Sequence, residues 1–135
     1  MHARREAGRR RRGGFTLIEV LLVVAILGIL AGVVVANFAG KQKKALISAT
    51  RASIDAIRTA VDMYEVDTGR YPPSLSALVD NDGSPNWSGP YLRGGVPVDA
   101  WGSPFNYSQQ GEDSYKISSA GPDKSTGSGD DITSN

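Results

Sequence analysis

Hydrophobic and polar positions divide this chain into stretches of different character. From Phe15 to Ala39, 25 positions hold a single charge, Glu19, in an almost unbroken apolar run. At ~1.5 Å per residue a helix of that length exceeds the roughly 30 Å hydrocarbon thickness of a bilayer. The run therefore predicts a membrane-spanning helix over 15–39. An ordinary secretory h-region is shorter, about 7–15 residues, and ends in an A-x-A-like site. No such site is obvious here, although Ala31 and Ala36 are small. Gly28 and Gly32 form a G-x-x-x-G pair, a spacing that lets membrane helices approach closely.

After Lys41 the period changes. Leu46, Ser53, Ile57, Ala60, Val61 and Tyr64 recur at helical steps, while Arg51, Asp55, Arg58, Asp62 and Glu65 fall largely off that stripe. No Pro interrupts Lys41 to Val66, and Gly69 with Pro72-Pro73 supplies the stop. The pattern predicts one helix of about 50 residues, half in lipid and half packed on a small domain. Ser74 is placed to cap a short helix over Leu75 to Val79. A polar loop follows over Asp80 to Gly89. Strand-like runs then stand at Tyr91-Leu92, Pro104 to Ser108 and Ser114 to Ser119, the last two flanking a hairpin loop at Gln109 to Asp113. The tail from Gly121 reads as loop. So small an antiparallel sheet needs a partner for its apolar face, and the helix stripe is the available one. The expected fold is α+β: a long N-terminal helix on a small antiparallel sheet.

Charge sharpens this picture. Residues 1–14 hold six Arg and one Glu, a charge of +5 that leaves −4 for the rest of a chain whose total is +1. A basic flank stays cytoplasmic, which orients the span with its N-terminus inside and the domain outside. Lys41, Lys43 and Lys44 oppose this orientation but are outnumbered. The basic block reads as a leader, and no nucleic acid is expected as a partner. The chain has no Cys, and its one His is His2, inside the leader. Thiolate and imidazole chemistry are therefore absent from residues 15–135, and no nucleophile–base spacing stands out.

Two clusters carry chemistry. Gly14 is a small-residue cut site, and cleavage after it would put a free amine on Phe15 close to the Glu19 carboxylate. A charge inside a membrane segment is expensive, and pairing with a cation offsets much of that cost. Near the other end, Asp123, Asp130 and Asp131 are spaced by Gly and Ser. Taken alone they suit either a solvated acidic tail or a loop around a hard cation such as calcium, which takes six to eight oxygens. They are not an EF-hand, since Ser128 and Ser134 occupy its Gly and Glu positions.

Gly14-Phe15-Thr16-Leu17-Ile18-Glu19 resembles the cleavage and methylation motif of the type IV pilin superfamily. Asp62-Met63-Tyr64, Arg70-Tyr71-Pro72, Pro97-x-Asp99-x-Trp101-Gly102-x-Pro104, Ser119-Ala120-Gly121-Pro122-Asp123 and Gly127-x-Gly129-Asp130-Asp131-Ile132 are similar to the major-pseudopilin family, core protein G, of type II secretion. That family usually has Pro near Ala36, Pro at Ala100 and Tyr at Phe105, so a less marked helix break is expected at Ala36. The resemblance implies a pilin-like fold. It implies prepilin peptidase cleavage between Gly14 and Phe15, and methylation of the new Phe15 amine. Glu19 would attract the Phe15 ammonium of a neighbouring subunit. Calcium would be held by Asp123, Asp130 and Asp131 with the Ala120 and Ser125 backbone carbonyls, in a loop over 119–132. The implied product is a non-enzymatic subunit of a helical homo-oligomeric filament that drives export across the outer membrane. Its partners would be minor pseudopilins and an inner-membrane assembly platform. The expected layout is a cleaved leader over 1–14, a single inner-membrane span over 15–39 and a periplasmic domain over 40–135. The alternative is a pilin of a type IV or DNA-uptake pilus.

Overall fold

The structure, a computed structural model, describes residues 13–134; the basic block at 1–12 lies outside them. One helix, α1, spans Leu17–Thr68, 52 residues, and it runs through Ala36. The chain divides into two compact units between Ala39 and Gly40.

In the first unit α1 begins two residues later than the apolar run. Its large side chains, from Leu17 to Val35, are exposed on every face. A helix apolar all round belongs in lipid or in a bundle, and its most apolar window has a mean hydropathy of 3.0.

In the second unit α1 is one-sided. Thr50, Ile54, Ile57, Ala60, Val61 and Tyr64 are buried, at the three- and four-residue spacing that keeps side chains on one face. The stripe thus runs through Thr50 and Ile54. The expected stripe residues Ser53 and Leu46 are only half-buried. Gly69 ends α1: at φ +76 its N–H donates to the Glu65 carbonyl at 2.7 Å, the left-handed stop that glycine adopts without a Cβ clash.

Beyond α1 comes a 3-10 turn, Leu75–Leu78. Ser74 does not cap it through its side chain as expected; its hydroxyl pairs with Ser76 Oγ instead. Three strands follow, β1 (Asn106–Gln109), β2 (Tyr115–Ser119) and β3 (Ile132–Thr133), in the antiparallel order β1-β2-β3. Asn106 faces Ser118, and Ser119 faces Ile132. The sequence reading differs from this in three places. Tyr91-Leu92 is no strand, since both N–H groups donate to the Leu78 carbonyl. Pro104 makes an isolated bridge with Val98 and lies outside β1. The tail holds β3, two residues recruited because β2 otherwise presents an open edge.

Ile117 and Ser119 of β2, Phe105 and Ile132 close on the α1 stripe. The aromatic side chains anchor loops to this core. Trp87 Nε1–H donates to the Ala77 carbonyl at 2.9 Å, and Tyr91 packs edge-on against both Trp87 and Tyr64. Buried Tyr64 donates its hydroxyl to Asp82 Oδ2 at 2.7 Å and accepts from Ser84.

Ile57 is fully buried whereas Val66, on the same helix, is 83 % exposed. Ile57→Ala is expected to cost about 2–5 kcal/mol, and Val66→Ala to stay within about 0.5 kcal/mol. Urea unfolding of the two variants checks this, and equal losses would contradict the one-sided helix.

Candidate functional site

At the start of α1, Thr16 and Glu19 satisfy one another. The Glu19 N–H donates to Thr16 Oγ1 at 3.3 Å, and Glu19 Oε2 accepts from the Thr16 N–H at 2.8 Å and from its hydroxyl at 3.1 Å. This is a capping box, T-x-x-E, in which each residue covers an orphan donor of the first turn. The sequence reading picked Glu19 for its charge and missed Thr16, although the three-residue spacing was readable. Phe15, 92 % exposed, precedes the cap. A Cβ added at Gly13 or Gly14 would meet nothing within 4 Å. The chain's own packing therefore does not require glycine at 14, and any demand for a small residue there comes from an outside agent. Gly28 and Gly32 are equally open.

At the other end, a buried carboxylate anchors the loop after β2. Asp99 Oδ1 accepts from the Trp101 and Ser103 N–H groups at 3.0 and 2.8 Å, and Oδ2 accepts from the Ser119 hydroxyl at 2.6 Å. Ser119 Oγ in turn accepts the Gly121 N–H at 3.1 Å. Gly121 stands at φ +69, and a Cβ there would come within 2.4 Å of the Asp130 carbonyl oxygen. Only glycine lets the two ends of the loop approach this closely.

The predicted acidic residues fall into two groups inside this loop. Asp123 Oδ1 accepts the Ser125 N–H at 2.8 Å, and Asp131 Oδ2 accepts the Gly127 N–H at 2.7 Å. The Ser128 hydroxyl lies 2.5 Å from Asp130 Oδ1, 3.2 Å from Asp131 Oδ1 and 3.0 Å from the Ser125 carbonyl. One hydroxyl has one proton, so three acceptors share a single donor. That is an oxygen-rich, donor-poor point, the chemistry a hard cation meets. It unites Asp130, Asp131 and the Ser125 carbonyl from the sequence prediction. Asp123 is near Asp130, and Ala120 is buried. Among the described residues no three acidic side chains close on one point as a finished metal centre. The donor set fits calcium in kind. Nothing in the sequence marked Ser128, because a serine among serines carries no signal.

Comparison with known proteins follows the same lines. Residues 37–135 match the family described as Type II secretion system (T2SS), protein G. Residues 9–35 match the prokaryotic N-terminal methylation motif. The chain is 39 % identical to the type II secretion system core protein G of Aeromonas hydrophila, covering 92 % of each chain. It is 38 % identical to that of Pseudomonas aeruginosa, covering 90 % of this chain and 92 % of the relative. A crystal structure of the major pseudopilin from the type 2 secretion system of enterohaemorrhagic Escherichia coli superposes with a TM-score of 0.61 at 31 % identity, covering 72 % of this chain and 92 % of the other.

The Ser128 hydroxyl first, then backbone groups including that of Asp123, hold the Asp130 carboxyl below the usual carboxylate range. A depressed folded value means a stabilising contribution that is whole above the unfolded pKa, ~3.9, and lost as pH falls through the folded value. In calcium-free buffer, carboxyl-carbon NMR is expected to give Asp130 a midpoint below ~3.9, and Ser128→Ala is expected to raise it. An unmoved midpoint in Ser128→Ala would contradict the hydroxyl's role.

Proposed function

This chain belongs to the protein G family of the type II secretion system, and on that premise we propose how its two chemical clusters serve a pseudopilus. The protein is a structural subunit of that filament, a major pseudopilin rather than an enzyme. The pilin of a type IV or DNA-uptake pilus is not favoured, since the curated relatives are core protein G. The observation that carries the reading is the conjunction, in one chain, of a methylation motif with an exposed apolar helix and a protein G domain.

A prepilin peptidase cuts between Gly14 and Phe15 and methylates the Phe15 amine. The span crosses the inner membrane with its N-terminus cytoplasmic and its domain periplasmic. Thr16 holds Glu19 against its own helix start, so the carboxylate is solvated by hydrogen bonds until a neighbour's ammonium reaches it. Opposite charges in a medium of low dielectric attract strongly, and pairing relieves the desolvation both suffer. Contacts of this kind run from one subunit to the next without closing, which makes a fibre. Minor pseudopilins and an inner-membrane platform complete the assembly.

Calcium is the proposed cofactor. Asp123, Asp130 and Asp131, with the Ala120 and Ser125 carbonyls, would hold it. When bound it supplies positive charge to oxygens that share too few donors. This chain's own part is to bring the loop ends together through Gly121, the Asp99–Ser119 anchor and β3. Magnesium fits less well, because it demands tight octahedral geometry and keeps several waters.

The test is calcium's effect on thermal unfolding of residues 41–135. A ligand that binds only the folded state raises stability by ~2.7 kcal/mol at one hundred times its dissociation constant. The expected result is a rise that Asp130→Ala with Asp131→Ala removes. An unmodified fragment indifferent to calcium would refute the site and leave the filament reading standing.

A further inference from the structure

Three exposed lysines, Lys41, Lys43 and Lys44, stand where α1 leaves the apolar run. The helix continues unbroken through them, so at ~1.5 Å per residue they lie ~3–8 Å of helix rise beyond Ala39. The polar headgroup layer adds roughly 5–8 Å to each side of the hydrocarbon, so a span that ends at Ala39 puts all three within it. At about 100° per residue they fan over roughly 160° of the helix circumference, and their long stems carry the ammoniums up or down that layer. The stretch 40–54 adds Arg51 and holds no carboxylate, whereas 55–135 holds twelve carboxylates against five cations. The positive end of the second unit is thus the end joined to the span.

Topology does not account for these lysines, because they oppose the orientation that the leader sets. The next carboxylate on α1, Asp55, stands eleven residues beyond Lys44, ~16 Å of rise and about two Debye lengths at physiological salt. A second copy inserted to the same depth presents the same three lysines and no complement to them. The anions that a bilayer itself supplies at that depth are phospholipid phosphates. We propose that Lys41, Lys43 and Lys44 form a collar that binds anionic phospholipids at the membrane surface from which the domain emerges. Each Lys or Arg close to an anionic surface strengthens the attraction about fivefold. A zwitterionic headgroup carries its own ammonium beside its phosphate, so the collar selects lipids of net negative charge. The inference rests on the membrane-span reading above and names the lipid class that the span recruits.

The chain has no Cys, so Gln42→Cys gives a single labelling site among the lysines. Full-length chain carrying a fluorophore there is reconstituted in phosphatidylcholine vesicles. These contain graded amounts of phosphatidylglycerol or phosphatidylcholine bearing a doxyl quencher near the headgroup. Phosphatidylglycerol is expected to reach half-quenching at about one-fifth of the phosphatidylcholine content or less, and salt should weaken this preference. Lys41→Gln with Lys43→Gln and Lys44→Gln should abolish it. Lys116→Gln with Lys124→Gln, at two exposed positions elsewhere in the domain, should keep it. Equal quenching by the two lipids in the unsubstituted collar would overturn the proposal and leave the span standing. A preference that survives the triple substitution would assign the lipid to another cationic segment and overturn the collar. No quenching by either lipid would put position 42 outside the headgroup layer and overturn the span boundary with the collar.

Discussion

The packing of one α1 face against a sheet too small to stand by itself is the interaction on which the domain depends. The strands are four, five and two residues long, and a few short strands lack the buried area to hold together in water. Ile54, Ile57, Val61 and Tyr64 supply the missing surface. At roughly 25 cal/mol per Å² of apolar area this seam is the largest favourable term available to the unit. The loops then hang from it by polar ties. Thr50 holds the turn at Ala100, Tyr64 holds the Asp82–Ser84 segment, and Tyr107 donates to the Pro72 carbonyl. Burial, and then neighbouring Tyr115, push the Tyr107 hydroxyl up to about 12. Its contribution is thus whole below ~10 and lost as pH rises through about 12.

Much of this was legible in the residues, and the limits have physical causes. A 25-residue apolar run and an uninterrupted 3.6-residue period announce a long helix, and Gly69 its end. The hairpin of β1 and β2 was readable because its strands alternate around a polar loop. Tyr91-Leu92 misled because two apolar residues in sequence carry no period. In the fold they dock on the Leu78 carbonyl. β3 was invisible because Ile132-Thr133 has no intrinsic pattern; it becomes a strand only when β2 offers an edge. Thr50 was missed because a search for apolar positions overlooks a polar residue buried with its hydroxyl accepting a backbone N–H.

The functional clusters divide in the same way. Charge in the wrong solvent is visible in a sequence, so Glu19 stood out, while its partner Thr16 did not. Acidic residues in a Gly- and Ser-rich tail suggested a cation, and the resemblance named its ligands. The structure adds how the loop is gathered. Asp99 and Ser119 fix one end, Gly121 admits the Asp130 carbonyl at close range, and Ser128 is one donor for three acceptors. Such convergence joins residues from β2, the tail and the turn at Asp99, and local spacing does not encode it.

The central claim is that the α1 seam and the sheet form one cooperative unit. Native-state hydrogen exchange on residues 40–135 carrying Val61→Ala tests it directly. The amides of Ile117 and of Asp99, which donates to the Ser103 carbonyl, should lose the same protection free energy as the α1 amides around Ile57. Sheet and loop protection left unchanged while the helix alone loosened would contradict it.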